Sequence, residues 1–201
     1  TMTERKPFKI LLVCPNIPGM LVLPSAIGLF TAILKEAGFE LDLFDATLYE
    51  TDTSVSPIKR VEYGQARKFS YKQNLGIELK PDLTGSFRAK VESFKPDLLV
   101  FSVVEDAFKQ ALGLLDVVKD KNIPHIVGGV LPTAAPEKIL SFPQIKMIGI
   151  GEGENTVLRL AQRLRDGLSF DDIPNIWLKK DDGTIIKNPI GPLMVLDKVL
   201  P

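Results

Sequence analysis

Two glycine-bearing segments hold the residues best suited to binding chemistry. Gly128-Gly129-Val130-Leu131-Pro132-Thr133 follows the apolar run 123–127, and Gly151-Glu152-Gly153-Glu154 follows the apolar run 147–150. Each stands where a buried parallel strand hands over to a helix, the edge of an open α/β sheet at which ligands bind. Glycine there lets a flat or bulky ligand approach the backbone with no Cβ in the way. Glu152 and Glu154 have two readings. At a helix start they cap free N–H groups and face the positive end of the dipole, or they touch a ligand directly.

Phosphate and dinucleotide chemistry fit these loops poorly. The dinucleotide fingerprint requires Gly-x-Gly-x-x-Gly after the first strand. That loop here reads Cys14-Pro15-Asn16-Ile17-Pro18-Gly19, and no Gly-Lys-Ser/Thr phosphate loop occurs either. Two carboxylates beside the second glycine loop would repel a phosphate, with no lysine placed to offset them. A phospho-receiver domain needs acids after its first strand and an Asp after its third; those strands end in Cys14-Pro15 and Ser102-Val103-Val104. The only histidine, His125, lies inside an apolar strand, so no histidine pair exists for a metal. Cys14 reads as a small buried apolar residue. What remains is a neutral edge lined by Gly, Pro and Ser. Such an edge suits a large, mostly apolar cofactor that brings its own chemistry, oriented by Asn16, Ser102, Thr133 and backbone N–H groups.

The elements that must position these loops alternate between strand and helix. Apolar runs at 8–13, 39–44, 98–104, 123–127 and 145–150 read as strands. Helical spacing of apolar residues marks 25–37, 86–94, 106–121 and 155–165, and Pro136 opens a short helix at 136–141. Residues 46–85 lack clear periodicity and read as an irregular insertion, with short helical pieces expected around 60–71. After residue 172 the alternation stops: 173–188 reads as a β-hairpin with Asp182-Gly183 as its turn. Residues 189–201 read as a linker toward an absent downstream domain. The expected architecture is a doubly wound, mainly parallel five-stranded α/β sheet, Rossmann-like or flavodoxin-like, spanning 8–172 and followed by that hairpin.

The bulk numbers agree. The 201 residues suffice for one domain with a real core. The 25 basic and 25 acidic residues cancel, so no positive field attracts nucleic acid. One cysteine excludes a disulfide framework or a cysteine-ligated cluster within this chain and points to a reducing, cytoplasmic setting. No apolar run reaches membrane-spanning length.

These pieces, in this order, resemble the N-terminal cobalamin-binding domain of cobalamin-dependent radical S-adenosylmethionine (SAM) proteins, including the anaerobic Mg-protoporphyrin monomethyl ester oxidative cyclase-like branch. The matching segments are Lys9-Ile10-Leu11-Leu12-Val13 with Pro15; Pro24-Ser25-Ala26-Ile27-Gly28-Leu29; Leu34-Lys35-Glu36-Ala37-Gly38; Pro96-Asp97 with Phe101-Ser102; Gly128-Gly129 with Pro132-Thr133; Gly151 to Glu154; and the hairpin after Ile173-Pro174. The resemblance implies a corrin ring across the carboxyl edge of the sheet, with the dimethylbenzimidazole tail entering between strands near the glycine loops. It implies Asn16 and Ile17 on the lower side of the ring, and Ser102, Val103 and Val104 below the corrin. Gly128, Gly129, Pro132 and Thr133 would lie along the tail, with Gly151, Glu152, Gly153 and Glu154 at the rim. Related cobalamin domains place an axial histidine in an Asp-x-His-x-x-Gly loop. Cys14, Asn16 and Gly19 occupy that spacing here, so the implied cobalamin is base-off, without a protein histidine ligand. Leu131 stands where many relatives carry histidine.

The cluster-binding Cys-x-x-x-Cys-x-x-Cys motif is absent from this chain. SAM and the [4Fe-4S] cluster would therefore belong to a downstream radical SAM domain of the same polypeptide, and this chain would hold no catalytic residue or metal site of its own. A second reading is a degenerate interaction or sensor domain without cofactor. It predicts a filled cleft, with Leu131 or Ile17 occupying the tail channel between the first, third and fourth strands.

Overall fold

A computed structural model describes residues 6–18, 25–51 and 56–193, without the side chains of 56–58. Gly19, Pro24 and residues 194–201 of the expected linker lie outside the described residues.

Five strands lie parallel and every one ends at the same edge. They are β1 (Lys9–Cys14), β2 (Glu40–Asp45), β3 (Leu98–Ser102), β4 (His125–Gly128) and β5 (Met147–Gly149). Helix α1 (Ser25–Glu36) links β1 to β2, and α4 (Leu83–Phe94) leads into β3. Helix α5 (Phe108–Val117) leads into β4. After β5 runs α8 (Glu154–Asp166). The hairpin strands β6 (Ile176–Lys179) and β7 (Ile185–Lys187) join antiparallel beside β5, so the hairpin extends the same sheet. The seven strands run in the order β2-β1-β3-β4-β5-β6-β7.

Successive strand residues point to opposite faces, and the apolar sequence uses both. Leu11, Val13, Leu99, Phe101 and Val127 build one core with Phe87 and Val91 of α4 and Leu114 of α5. Ile10, Leu12, Leu98, Val100 and Ile126 build the other with Phe30 and Leu34 of α1 and Leu160 of α8. This two-sided burial explains why the central strands read as unbroken apolar runs.

Several local expectations are corrected. The insertion carries the expected short helical pieces, α2 (Ser56–Glu62) and α3 (Tyr71–Leu75), but they flank the expected stretch around 60–71, and residues 63–70 between them are non-helical. A bridge between Tyr49 and Lys80 ties the ends of this excursion together. Helix α4 starts at Leu83, earlier than residue 86, because the Asp82 carboxylate accepts from the N–H of Gly85 at 2.8 Å and caps the first turn. The single helix expected over 106–121 is α5 flanked by 3₁₀ turns at Glu105–Ala107 and Lys119–Lys121. The hairpin turn is a three-residue loop. Lys180 donates to the Thr184 carbonyl at 2.8 Å, and Gly183, at φ +86°, donates to the Lys180 carbonyl at 3.0 Å.

The first glycine segment is itself helical. Helix α6 (Val130–Ala134) begins at once after Gly129, and α7 (Pro136–Leu140) follows. Pro132 fits because the N–H groups of a first turn have no intrahelical partner to lose. Gly129 has φ +115° and ψ −171°, a region open essentially to glycine alone. A Cβ there would lie 2.4 Å from the Val103 carbonyl oxygen and 3.0 Å from its nitrogen. Gly151, at φ +71°, has open space around the same position. Gly129→Ala is therefore expected to destabilise the chain by about 3 kcal/mol, from backbone strain plus overpacking. Gly151→Ala is expected to cost about 1 kcal/mol, from backbone strain alone. Urea unfolding of both variants checks the order; equal losses would contradict it.

Candidate functional site

At the carboxyl edge a cleft of about 130 Å³ opens between the ends of β3, β4 and β5 and the helices α1 and α8. Its volume is of the order of the roughly 150 Å³ cavity that holds one benzene ring. Val100, Phe101 and Ser102 come from β3, Ile126 and Gly128 from β4, and Gly149 from β5. Gly129 and the whole second loop, Gly151 to Glu154, complete the mouth, with Ala26 and Phe30 of α1 and Thr156 and Val157 of α8. The small residues explain why the cleft exists. Five glycines among the lining positions leave volume that side chains would otherwise take. At Gly153 a Cβ would come within 2.8 Å of the Phe30 ring, so this glycine lets the ring close one wall.

Of the positions expected at the site, Ser102, Gly128, Gly129, Gly151, Glu152, Gly153 and Glu154 line this one cleft. The others do not line it. Val103 is fully buried and donates its N–H to the Gly128 carbonyl at 2.8 Å, locking the exits of β3 and β4 together; Val104 follows it. Buried Pro132 supports α6. The Thr133 hydroxyl donates to the Gly129 carbonyl at 2.9 Å and accepts from the Gly151 N–H at 3.0 Å, so it ties one glycine loop to the other. Asn16 is buried at the end of β1. Its amide donates to the Thr47 hydroxyl at 2.9 Å, and its backbone carbonyl accepts from Gln110 at 3.0 Å. Ile17 beside it is also buried. Neither Ile17 nor Leu131 fills the cleft: Leu131 packs into the core of the opposite sheet face. The open slot lies between the third, fourth and fifth strands, one strand over from the expected place.

Ala26, Val100, Phe101, Ile126, Gly149, Thr156 and Val157 join the lining without a signal in the sequence, and two further contributors show why. Phe30 has ordinary helical core spacing, which carries no sign that its ring borders a cleft. Asn175 sits at φ +68°, buried, and its amide donates to the Glu152 carbonyl at 3.1 Å and the Thr156 hydroxyl at 3.3 Å. Its side-chain oxygen accepts from the Gly191 N–H at 2.6 Å. It thereby fixes the second glycine loop against the hairpin; a Pro-Asn pair, with asparagine tolerant of the left-handed region, is the only trace in the sequence.

The electrostatics are sparse. With Gly153 as the N-cap, Glu154 opens α8 as the acidic residue of its first turn, where it faces the positive end of the helix dipole. Its Oε2 is buried, and none of the described residues donates to it. His125 lies at the amino end of β4, across the sheet from the cleft, and burial lowers its pKa below the usual histidine range. It borders a groove of about 720 Å³ at that amino edge, together with Gln144, Lys146 and Asp181. That groove has no glycine loop and faces away from the strand ends that build the cleft. Among the described residues no cluster of three or more His, Cys, Asp and Glu could hold a metal, and no helix is long and apolar enough to cross a membrane.

Cys14 is buried at the end of β1, and its thiol is pushed up to about 11, first by burial and then by the Asp45 charge. The neutral thiol is favoured in the folded chain, which therefore resists ionisation as pH rises past the usual cysteine range. At pH 8 the thiolate fraction is lower by about a hundredfold than in the unfolded chain. Reaction with an aromatic disulfide reagent should slow by at least that factor in the native state and recover in urea. Equal rates would contradict the burial.

Residues 64–161 match a family model described as B12 binding domain, a span that contains every cleft-lining position except Ala26 and Phe30. Over 174 residues, 85% of the chain, it is 26% identical to the cytidylyl-2-hydroxyethylphosphonate methyltransferase of Streptomyces wedmorensis and covers 30% of that protein. Over 121 residues, 57% of the chain, it is 28% identical to the anaerobic magnesium-protoporphyrin IX monomethyl ester cyclase of Rubrivivax gelatinosus and covers 22% of it. Among solved structures, the fold matches the radical S-adenosylmethionine methyltransferase TsrM of Kitasatospora setae, determined with cobalamin and a [4Fe-4S] cluster bound. The TM-score is 0.68 at 18% identity, over 94% of this chain and 30% of that one. The chain thus spans less than a third of the length of these proteins. It matches the B12 binding domain family across residues 64–161, and in sequence and fold it resembles the N-terminal region of cobalamin-dependent radical SAM enzymes.

Proposed function

We propose that this chain is a cobalamin-binding module, without catalysis of its own, that presents cobalamin to a downstream iron–sulfur and SAM domain of the same polypeptide. The observation that carries the reading is the open cleft between β3, β4 and β5, walled by the two glycine loops. The residues fit the group. Apolar walls from Val100, Ile126 and Phe30 suit the flat tail base, and the glycines leave room for it. Ser102, Gly128, Gly129 and Gly151 to Glu154 would hold the tail. Asn16, Ile17, Val103, Val104, Pro132 and Thr133 would support the edge on which the corrin rests. When bound, cobalamin supplies a cobalt centre able to carry a methyl group or an electron. The chain's own part is to bind, orient and shield it.

The placement of His125 supports base-off binding without a histidine ligand from this chain. The only histidine, His125, stands at the amino edge, opposite the cleft. The free buried thiol suits a reducing, cytoplasmic setting. The parent reaction would be methyl transfer or oxidative ring closure; the two curated relatives are named as a methyltransferase and a cyclase. Against a cofactor-free interaction domain stands the cleft itself, which neither Ile17 nor Leu131 occupies.

Titration of the chain with hydroxocobalamin, followed by visible absorbance, tests the reading. A saturable change is expected at micromolar ligand. Ser102→Phe, which places a ring in the cleft, should weaken binding by about tenfold or more. No spectral change with ligand well above micromolar would overturn the proposal.

A further inference from the structure

Glu154 poses a problem that the fold alone does not answer. Its Oε2 is shut off from solvent, yet no described residue donates a hydrogen bond to it. A buried carboxyl oxygen without a partner is costly, more so than a neutral group. No lysine, arginine or histidine lines the cleft. The nearby hydroxyl of Thr156 is already engaged with Asn175 and with the carbonyls of Glu152 and Pro174. Apart from Ser102 and Glu152, the remaining walls are apolar side chains and glycines. A group that enters the cleft is therefore placed to supply the partner of Glu154.

We infer that Glu154 is the residue that reads the tail base of the bound cobamide, sharing one proton with a ring nitrogen of that base. The inference rests on the cobalamin reading above. A benzimidazole freed from cobalt presents one unsatisfied ring nitrogen on an otherwise apolar bicycle. Either Glu154 carries the proton and donates it to the nitrogen, or the protonated nitrogen donates to the carboxylate. Both states hold a single proton and a single hydrogen bond, and both satisfy two groups that are costly to bury alone. The cleft is matched to that pairing: aromatic and aliphatic walls for the ring body, one carboxyl group for its one polar atom. Glu154 would thus make the module selective for cobamides whose lower base carries a ring nitrogen.

The test compares hydroxocobalamin with a hydroxo-cobamide whose lower base is p-cresol, which has no ring nitrogen. Each is titrated by visible absorbance against the wild-type chain, Glu154→Leu and Glu154→Gln. Each cobamide is compared with itself across the variants, so the cost of freeing the base from cobalt cancels. Glu154→Leu should weaken hydroxocobalamin by roughly tenfold or more and leave the p-cresol cobamide within about threefold, which also shows that the variant is folded. Glu154→Gln, whose amide can donate to a neutral ring nitrogen, should recover most of the loss. Equal effects of Glu154→Leu on both cobamides, or none on hydroxocobalamin, would overturn the inference and leave the cobalamin reading standing. Failure of the wild-type chain to bind either cobamide would overturn both.

Discussion

The close approach of Gly129 to the backbone of Val103 governs the shape of the whole carboxyl edge. In a parallel sheet every strand ends at the same side, and each exit must clear its neighbours. Here the chain leaving β4 turns directly over the chain leaving β3, with the Gly128 carbonyl bonded to the Val103 N–H and no room for a Cβ at Gly129. That crossing lets α6 start at once and carries the chain away toward the core of the other sheet face. The space above the ends of β4 and β5 is left clear. Thr133 then pins the second glycine loop to the first, and Asn175 pins it from the hairpin side. The cleft is the gap that these constraints hold open between α1 and α8.

The chemistry of the gap follows from what surrounds it. Its walls are apolar or glycine, its polar atoms are few, and the molecule's histidine and its larger groove face the other edge. Such a place can hold and orient a flat group but has little with which to transform one. The chain covers under a third of the length of the relatives it resembles, and on the cobalamin reading the chemistry would come with the bound group.

Much of this was legible in the sequence because buried parallel strands leave short, continuous apolar runs bounded by turns. The five strand positions and the hairpin follow from that signal, and the glycine loops from their places at strand ends. What stayed hidden depends on contacts between residues distant in sequence. Phe30 looks like any core residue of an amphipathic helix until Gly153 is set against its ring. Asn175 looks like the start of a strand until its amide reaches Glu152. Thr133 was expected beside a ligand, but its hydroxyl is used to join two loops. Helix α6 was read as loop because Gly-Gly and Pro stand within or beside it, yet a first turn accepts both. In the insertion weak periodicity gave no usable signal, and the true start of α4 depended on recognising Asp82 as a cap.

The central claim is that the slot between β3, β4 and β5 is where cobalamin enters. A two-dimensional amide NMR spectrum of the chain with and without hydroxocobalamin tests it most directly. The account predicts that the amide signals of Ser102, Gly128, Gly129 and Gly151 to Glu154 shift on saturation, while those of Ile123, Gln144 and Lys179 at the amino edge stay in place. Shifts confined to the amino-edge groove, with the glycine loops unmoved, would contradict it.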